Sequence, residues 1–408
     1  MHGRSHSQSG MRRPGPVRLL GLAALSILLA QGAAAQETLK LGISAPMSGA
    51  AATWGLGMEW AAEQAAERIN AEGGLSAGGE TYMLDIVAYD NKYSATEGAR
   101  AAQTMLSRDG VKFVVGAIGT APVRAMQALT ERQGVILFNT AWGKSVKGPD
   151  FPYTFTQMNT PFEILEPFYT FVKEQHPDVK TAVLISPNDA TGQELEPLAI
   201  ETWKSLGVEM LASDWYERGT TEFQPIATKI ASLDPDVVDF SAAPPGDVGA
   251  ILKELDVLGW DGVKVMSAGT SVDALTAVAG EAAEDAYLGA SADFDGPTAT
   301  EVQRELNAGA REAIGEPLNG ITISSYDAVM ALQAAIKAAD SVDPAKVKDA
   351  LPTVRFESSY GPSGFGGEAL YGYPQQMLLP VIVTQVKDGK PVELTRTNPA
   401  ELEALLNK

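Results

Sequence analysis

From residue 38 onward, short β-branched runs alternate with longer stretches whose apolar residues recur at helical spacing. Residues 38–44 (TLKLGIS) predict a strand, 54–72 a helix stopped by Gly73-Gly74, 82–89 a second strand, and 94–107 a second helix with Ser94 as its cap. Strand 113–116, helix 122–133 and strand 135–138 continue the rhythm of a parallel sheet. After an extended segment at 153–158 the rhythm restarts. Helices at 162–175, 193–206, 223–233 and 247–258 alternate with strands at 181–185, 209–216, 237–241 and 263–266. Two runs of four or more βα units predict two similar α/β lobes rather than one sheet. The tail differs: helices at 298–313 and 321–339 precede a Gly-rich stretch at 361–367. A strand at 376–387 then ends at a hairpin signal, Asp388-Gly389. No low-complexity linker parts the lobes, so several crossings between them are expected rather than one tether.

The first 35 residues break this pattern. Arg4, Arg12, Arg13 and Arg18 form a basic start, residues 19–30 (LLGLAALSILLA) an apolar run too short to span a bilayer comfortably, and Ala33-Ala34-Ala35 an A-x-A cleavage site. This reads as an export signal cleaved near Ala35, which places the mature chain outside the cytoplasm.

Removing that leader changes the charge picture. It holds four Arg and no acid, so the net charge moves from −20 to −24. So acidic a surface disfavours nucleic acid and anionic membranes as partners. The chain has no Cys, which excludes disulfides, thiolate metal sites, Cys nucleophiles and a lipidated N-terminal Cys. His176 is the one His left, in a polar helix end before Pro177, so a Ser-His-Asp machine is disfavoured. Gly143-Lys144-Ser145 copies the end of a phosphate-binding loop, but Phe138 stands at the leading glycine position. Gly364-Phe-Gly366-Gly-Glu-Ala369 imitates a dinucleotide fingerprint in the wrong place, ahead of a late hairpin. No spacing singles out a catalytic pair, a metal site or a cofactor site.

Binding remains. In open parallel sheets, ligands gather beyond the carboxyl ends of strands. Those positions hold Pro46–Gly49 with Trp54-Gly55, then Ile118-Gly119-Thr120, then residues 139–143. In the second lobe they are residues 186–191, 242–246 and 267–271. Thr120 precedes Pro122, which suits a helix's first turn, so Gly119 and Thr120 would offer free N–H groups and a hydroxyl to a carboxylate. The same Thr could simply cap its own helix. Trp142 and Trp54 could stack on an apolar ligand body or serve ordinary packing.

The run Lys40-Leu-Gly-Ile-Ser-Ala-Pro-Met-Ser-Gly49 with Trp54-Gly55, then Ile69-Asn70-Ala-Glu-Gly-Gly74, resembles the periplasmic leucine/isoleucine/valine-binding proteins. Tyr89-Asp90-Asn91, Val114-Val115-Gly116, Gly280–Glu284 and Tyr326–Val329 continue the likeness across nearly the whole mature chain. What it implies is the type I periplasmic-binding fold: two Rossmann-like lobes with parallel sheets, joined by a three-crossing hinge. Lobe 1 would hold 36–158 plus 293–377, and lobe 2 would hold 159–292 plus 378–408. The implied role is the solute receptor of an ABC importer, a monomer delivering its ligand to an inner-membrane permease. A soluble sensor for a membrane receptor, or less favourably a secreted hydrolase, are the alternatives.

The resemblance also implies a site. Ile118, Gly119 and Thr120 match the loop that takes a ligand carboxylate, Trp54 the Trp beside the ligand side chain, and Ala141, Trp142 and Gly143 the loop completing the first-lobe wall. Departures follow. Gly143 stands where amino-acid binders usually place Thr, Gly269 near their acidic ammonium partner, Ala243-Pro244 near a carboxylate-binding Tyr, and Thr191 at a common hinge-side Tyr. Asp189 or Asp247 could replace the missing acid. The ligand class therefore stays open between a branched-chain or related amino acid and an aromatic or aliphatic acid, with amides among the solutes of relatives.

Overall fold

The computed structural model describes residues 37–267 and 269–407, so the expected leader lies outside the described residues. The chain opens with strand β1 (Glu37–Ala45), helix α1 (Ala52–Ala71), β2 (Leu75–Ala77), β3 (Glu80–Asp90), α2 (Ala95–Thr104), β4 (Phe113–Ala117), α3 (Thr120–Gln133), β5 (Ile136–Asn139) and β6 (Thr154–Thr156). A second series follows: α4 (Pro161–Gln175), β7 (Thr181–Pro187), α5 (Ala190–Ser205), β8 (Glu209–Tyr216), α6 (Gln224–Leu233), β9 (Val237–Asp239), α7 (Pro245–Val257), β10 (Val263–Met266), α8 (Val272–Ala279) and β11 (Tyr287–Leu288). Next come α9 (Glu301–Ile314), α10 (Gly320–Ala339), α11 (Pro344–Ala350), β12 (Phe356–Ser358), β13 (Gly361–Ser363), β14 (Phe365–Gly366), α12 (Glu368–Tyr371) and β15 (Gln376–Met377). The end is β16 (Val381–Lys387), β17 (Lys390–Thr397) and α13 (Ala400–Leu406).

Two large sheets result, one in each lobe, beside the small antiparallel pair β12-β13. The first runs β14-β15-β6-β5-β4-β1-β3-β2 and the second β17-β16-β11-β10-β9-β7-β8. Their central strands are parallel; antiparallel strands close both ends of the first sheet and the β17 end of the second, while β8 ends the second in parallel. Helices cover both faces of β1, which explains its near-continuous burial from Leu41 to Ala45. α1 and α10 pack so closely that a Cβ on Gly57 would stand 2.5 Å from Thr322 Cγ2, and small residues (Ala61, Ala65, Ala328, Ala331) fill the contact. Phe138, Phe155 and Phe365 cluster at 5.4–6.2 Å between ring centres in the first lobe's core. In the second, Trp203 stacks on Tyr169 at 4.2 Å. Among the described residues no helix is long and apolar enough to cross a membrane.

The chain passes between the sheets at 157–160, 289–300 and 378–380. Asn159 ties the first passage to the third, donating to the carbonyls of Leu379 and Pro380 at 3.1 and 3.0 Å. The single strand predicted over 376–387 is in fact two, β15 and β16, one in each sheet. Pro380 has no N–H to continue a ladder, and the chain changes sheets there. The tail assigned by resemblance to the second lobe also divides: α13 returns to the first, where Glu401 accepts the Gly367 N–H at 2.7 Å. α3, α5 and α7 start two or three residues before their apolar patterns, at Thr120, Ala190 and Pro245. Ser94 precedes α2 but makes no side-chain capping bond. Asp388-Gly389 forms the expected turn, both at positive φ.

Candidate functional site

In each sheet the winding direction reverses at one place, between β1 and β4 in the first and between β7 and β9 in the second. Loops leaving neighbouring strands diverge there and open a crevice. The two crevices face each other and enclose about 410 Å³ of non-protein space, part of it open to solvent. Nearly every lining residue follows a strand end. Trp54 comes after β1, Tyr93 after β3, Ile118 and Gly119 after β4, and Thr140 and Trp142 after β5. From the second lobe come Thr191 after β7, Arg218 after β8, and Ala242 and Ala243 after β9. Ile321, in the first turn of α10, completes the lining.

The N-termini of α3 and α5 meet head to head. Thr120 Oγ1 lies 2.9 Å from Thr191 Oγ1 across the gap and accepts the Gly143 N–H at 3.1 Å. Gly119 reaches this position with φ of 93°, a conformation that a side chain would strain. First-turn N–H groups have no partner within their own helix, so two helix N-termini converge on one cavity; no side chain caps α3, whereas Asp189 caps α5. Trp142 is 7% exposed and its Nε1–H has no partner.

Charge enters from the second lobe. Arg218 Nε donates to Asp189, and the guanidinium lies 4.3 Å from the centre of the Tyr93 ring in the first lobe. Burial works against the arginine's charge; Tyr93 and Asp189 more than restore it, so its pKa is raised. Asp189 caps α5 by accepting the Thr191 and Gly192 N–H groups at 2.9 and 3.0 Å. Asp247 accepts the Tyr216 hydroxyl at 2.8 Å behind the wall, and burial raises its pKa. Beside the cavity, Glu194 of α5 reaches the first lobe, accepting the Ser145 N–H at 2.9 Å and the Ser145 hydroxyl at 2.6 Å. Arg124 stands 3.9 Å from the same carboxylate.

Of the residues expected from the sequence, the structure brings Trp54, Ile118, Gly119, Trp142 and Thr191 to the lining, with Thr120 joined to it through its hydroxyl. Ala141 is buried behind the wall, and Gly143 sits between Thr120 and Glu194 at its edge. Asp189 is engaged as a cap and ion pair. Pro244 precedes α7 outside the lining, and Gly269 faces Leu288, where a Cβ would stand 2.7 Å from that side chain's Cγ. Thr140, Ala242 and Ala243 lie in the strand-end loops read from the sequence, whereas Tyr93, Arg218 and Ile321 are lining residues that the reading did not reach. His176 is no free helix end: its Nε2 lies 3.0 Å from the Tyr287 hydroxyl at the C-terminus of α4. Among the described residues no group of acidic or His side chains is arranged to hold a metal ion.

Residues 38–391 match the sequence profile of the periplasmic binding protein family. The leucine-, isoleucine-, valine-, threonine- and alanine-binding protein of Pseudomonas aeruginosa is 24% identical over 333 residues, 81% of this chain and 86% of that protein. A leucine-binding protein from Thermotoga maritima superposes with a TM-score of 0.76 at 19% identity, over 89% of this chain and 99% of that one. A solute-binding protein from R. palustris, solved with benzoate, gives 0.75 at 18% identity, over 89% of this chain and 97% of that one. These relatives are binding proteins by name, and the fold is shared with them: two α/β lobes built on largely parallel sheets. On the extent of that match and on this architecture, the chain belongs to the periplasmic binding protein family.

Proposed function

We propose that the chain is the periplasmic receptor of an ABC importer, and that it holds a small carboxylate-bearing solute between its lobes. The observation that carries this is the cavity itself: apolar walls from Trp54, Ile118, Trp142 and Ile321, with two helix N-termini and unpartnered donors facing the same space. Apolar walls with a few placed polar groups are the lining that a small metabolite of amino-acid or benzoate kind needs. Both solute classes are named among the relatives: a leucine-binding protein and a benzoate complex. The basic, apolar, A-x-A leader supports export to the periplasm. Solute biases the lobes toward closure because only the closed arrangement contacts it from both sides. An inner-membrane permease is the partner this role requires.

The test is release of co-purified solute by denaturation, identified by mass spectrometry, followed by thermal melting with amino acids, organic acids and amides. A true ligand at a hundredfold excess over its Kd stabilises the fold by about 2.7 kcal/mol. No released solute and no shift with any of these classes would overturn the receptor reading.

A further inference from the structure

Among the residues that line the cavity, Arg218 carries the only formal charge. Its Nε is committed to Asp189, while among the described residues its two terminal amino groups make no hydrogen bond. They stay in place because the Tyr93 ring covers the guanidinium plane from the opposite lobe. Trp142 adds a second unsatisfied donor, an Nε1–H on a side chain only 7% exposed. The first turn of α3, which no side chain caps, adds backbone donors at a positive helix end. The available side-chain groups here are thus N–H donors and the Thr and Tyr hydroxyls.

The acids near the cavity are spoken for. Asp189 gives one oxygen to two backbone N–H groups and the other to Arg218. Asp247 holds the Tyr216 hydroxyl and is not part of the lining. Glu194 is taken by Ser145 at the edge. An α-ammonium enclosed here would lose its water without gaining a carboxylate, and an unpaired buried charge is strongly disfavoured. A carboxylate meets the opposite situation, since guanidinium and carboxylate match in a two-pronged geometry.

We propose that the solute is a small organic acid with no protonated amine, and that its carboxylate pairs with Arg218. The inference rests on the cavity being the solute site, and it narrows that reading from carboxylate-bearing solutes in general to amine-free acids. Arg218 is the specificity-determining residue, Asp189 and Tyr93 position it, and the Trp142 N–H takes a further oxygen of the same ligand.

The experiment compares solutes that share one body, by calorimetry: 4-methylpentanoate, leucine and 4-methylpentanamide; then 3-phenylpropanoate, phenylalanine and 3-phenylpropanamide; then benzoate and benzamide. In the matched set whose body fits, the acid binds at least a hundredfold tighter than the amino acid and at least tenfold tighter than the amide. Arg218→Gln collapses the preference for acid over amide toward one, and Arg218→Lys retains part of it. Ligand-free melting temperatures confirm that both variants fold. An amino acid that equals its matched acid, a released solute carrying an amine, or an undiminished preference in Arg218→Gln overturns the inference and leaves the receptor reading standing. If no matched set binds and denaturation releases no solute, the receptor reading falls and the inference falls with it.

Discussion

The two walls of the cleft are built by the same rule and carry different chemistry. The first lobe supplies bulk: Trp54, Tyr93, Ile118, Trp142 and Ile321, set on a sheet whose core is a cluster of Phe rings. The second supplies little bulk and the one charge, through Thr191, Arg218, Ala242 and Ala243. Bulk thus comes from one half and charge from the other. The lobes also bury acids differently. Asp239 in the second satisfies its oxygens with Tyr169, the Trp203 N–H at 2.8 Å and the Ser241 N–H at 2.8 Å. Asp327 in the first has only Ser359; burial raises the pKa of both acids and pushes that of Asp327 up to about 7.

The largest expected effect sharpens that last contrast. Asp327 binds its proton more tightly folded than unfolded, where its pKa is near 3.8, so its stabilising contribution is complete below about pH 4 and is lost as pH rises towards 7. The Asp327→Asn variant should shed this fall, about 1.4 kcal/mol per pH unit within the window, in urea melts at a series of pH values. An unchanged pH slope would remove the asymmetry between the buried acids. Next, Trp142→Ala should cost about 3 kcal/mol of binding, roughly a hundredfold in Kd, because it deletes one of the two Trp side chains on the first-lobe wall. A change of less than threefold by calorimetry would mean that bulk does not reside in that lobe.

Gly143→Ala should follow. Its Cβ would stand 2.5 Å from Thr120 Cγ2 and 2.7 Å from Glu194 Oε2, so the lobes must part slightly. Overpacking of this kind costs about 1–3 kcal/mol, here read as weaker solute binding with an increased radius of gyration in solution scattering. The smallest effect is expected from Glu194→Gln. Its contacts with Ser145 and Arg124 are partly exposed, and such pairs are worth about 1 kcal/mol or less, a few-fold in Kd. A large loss there would move the charge contribution from Arg218 to the rim.

The first lobe was the more legible half. Trp54, Ile118, Gly119, Trp142 and the helix start at Thr120 all lie where strand ends and helix signals meet in the chain, and the fold brings them together. In the second lobe the reading reached Thr191 and the loop of Ala242 and Ala243, while Pro244 and Gly269 lie outside the lining. Gly269 follows β10, one strand beyond the point where the winding reverses, and packs under Leu288 instead. Arg218 follows the edge strand β8, and Glu217-Arg218-Gly219 reads in sequence as a solvated turn. What makes it a lining residue is Tyr93, more than a hundred positions earlier, lying over its plane. Register and helix starts are local properties; a charge shielded by the opposite lobe is not.

The return of α13 to the first lobe bears on how movement between the halves would be watched. Leu405 packs against Gly364, and Glu401 holds the Gly367 N–H. A fluorophore or spin label attached near Asn407 therefore reports the position of the first half, although it follows directly on β17 of the second. Paired with a label on α7, it gives a ruler across the gap, and the short turn at Asn398-Pro399 is the tether that any swing of the halves must stretch or spare.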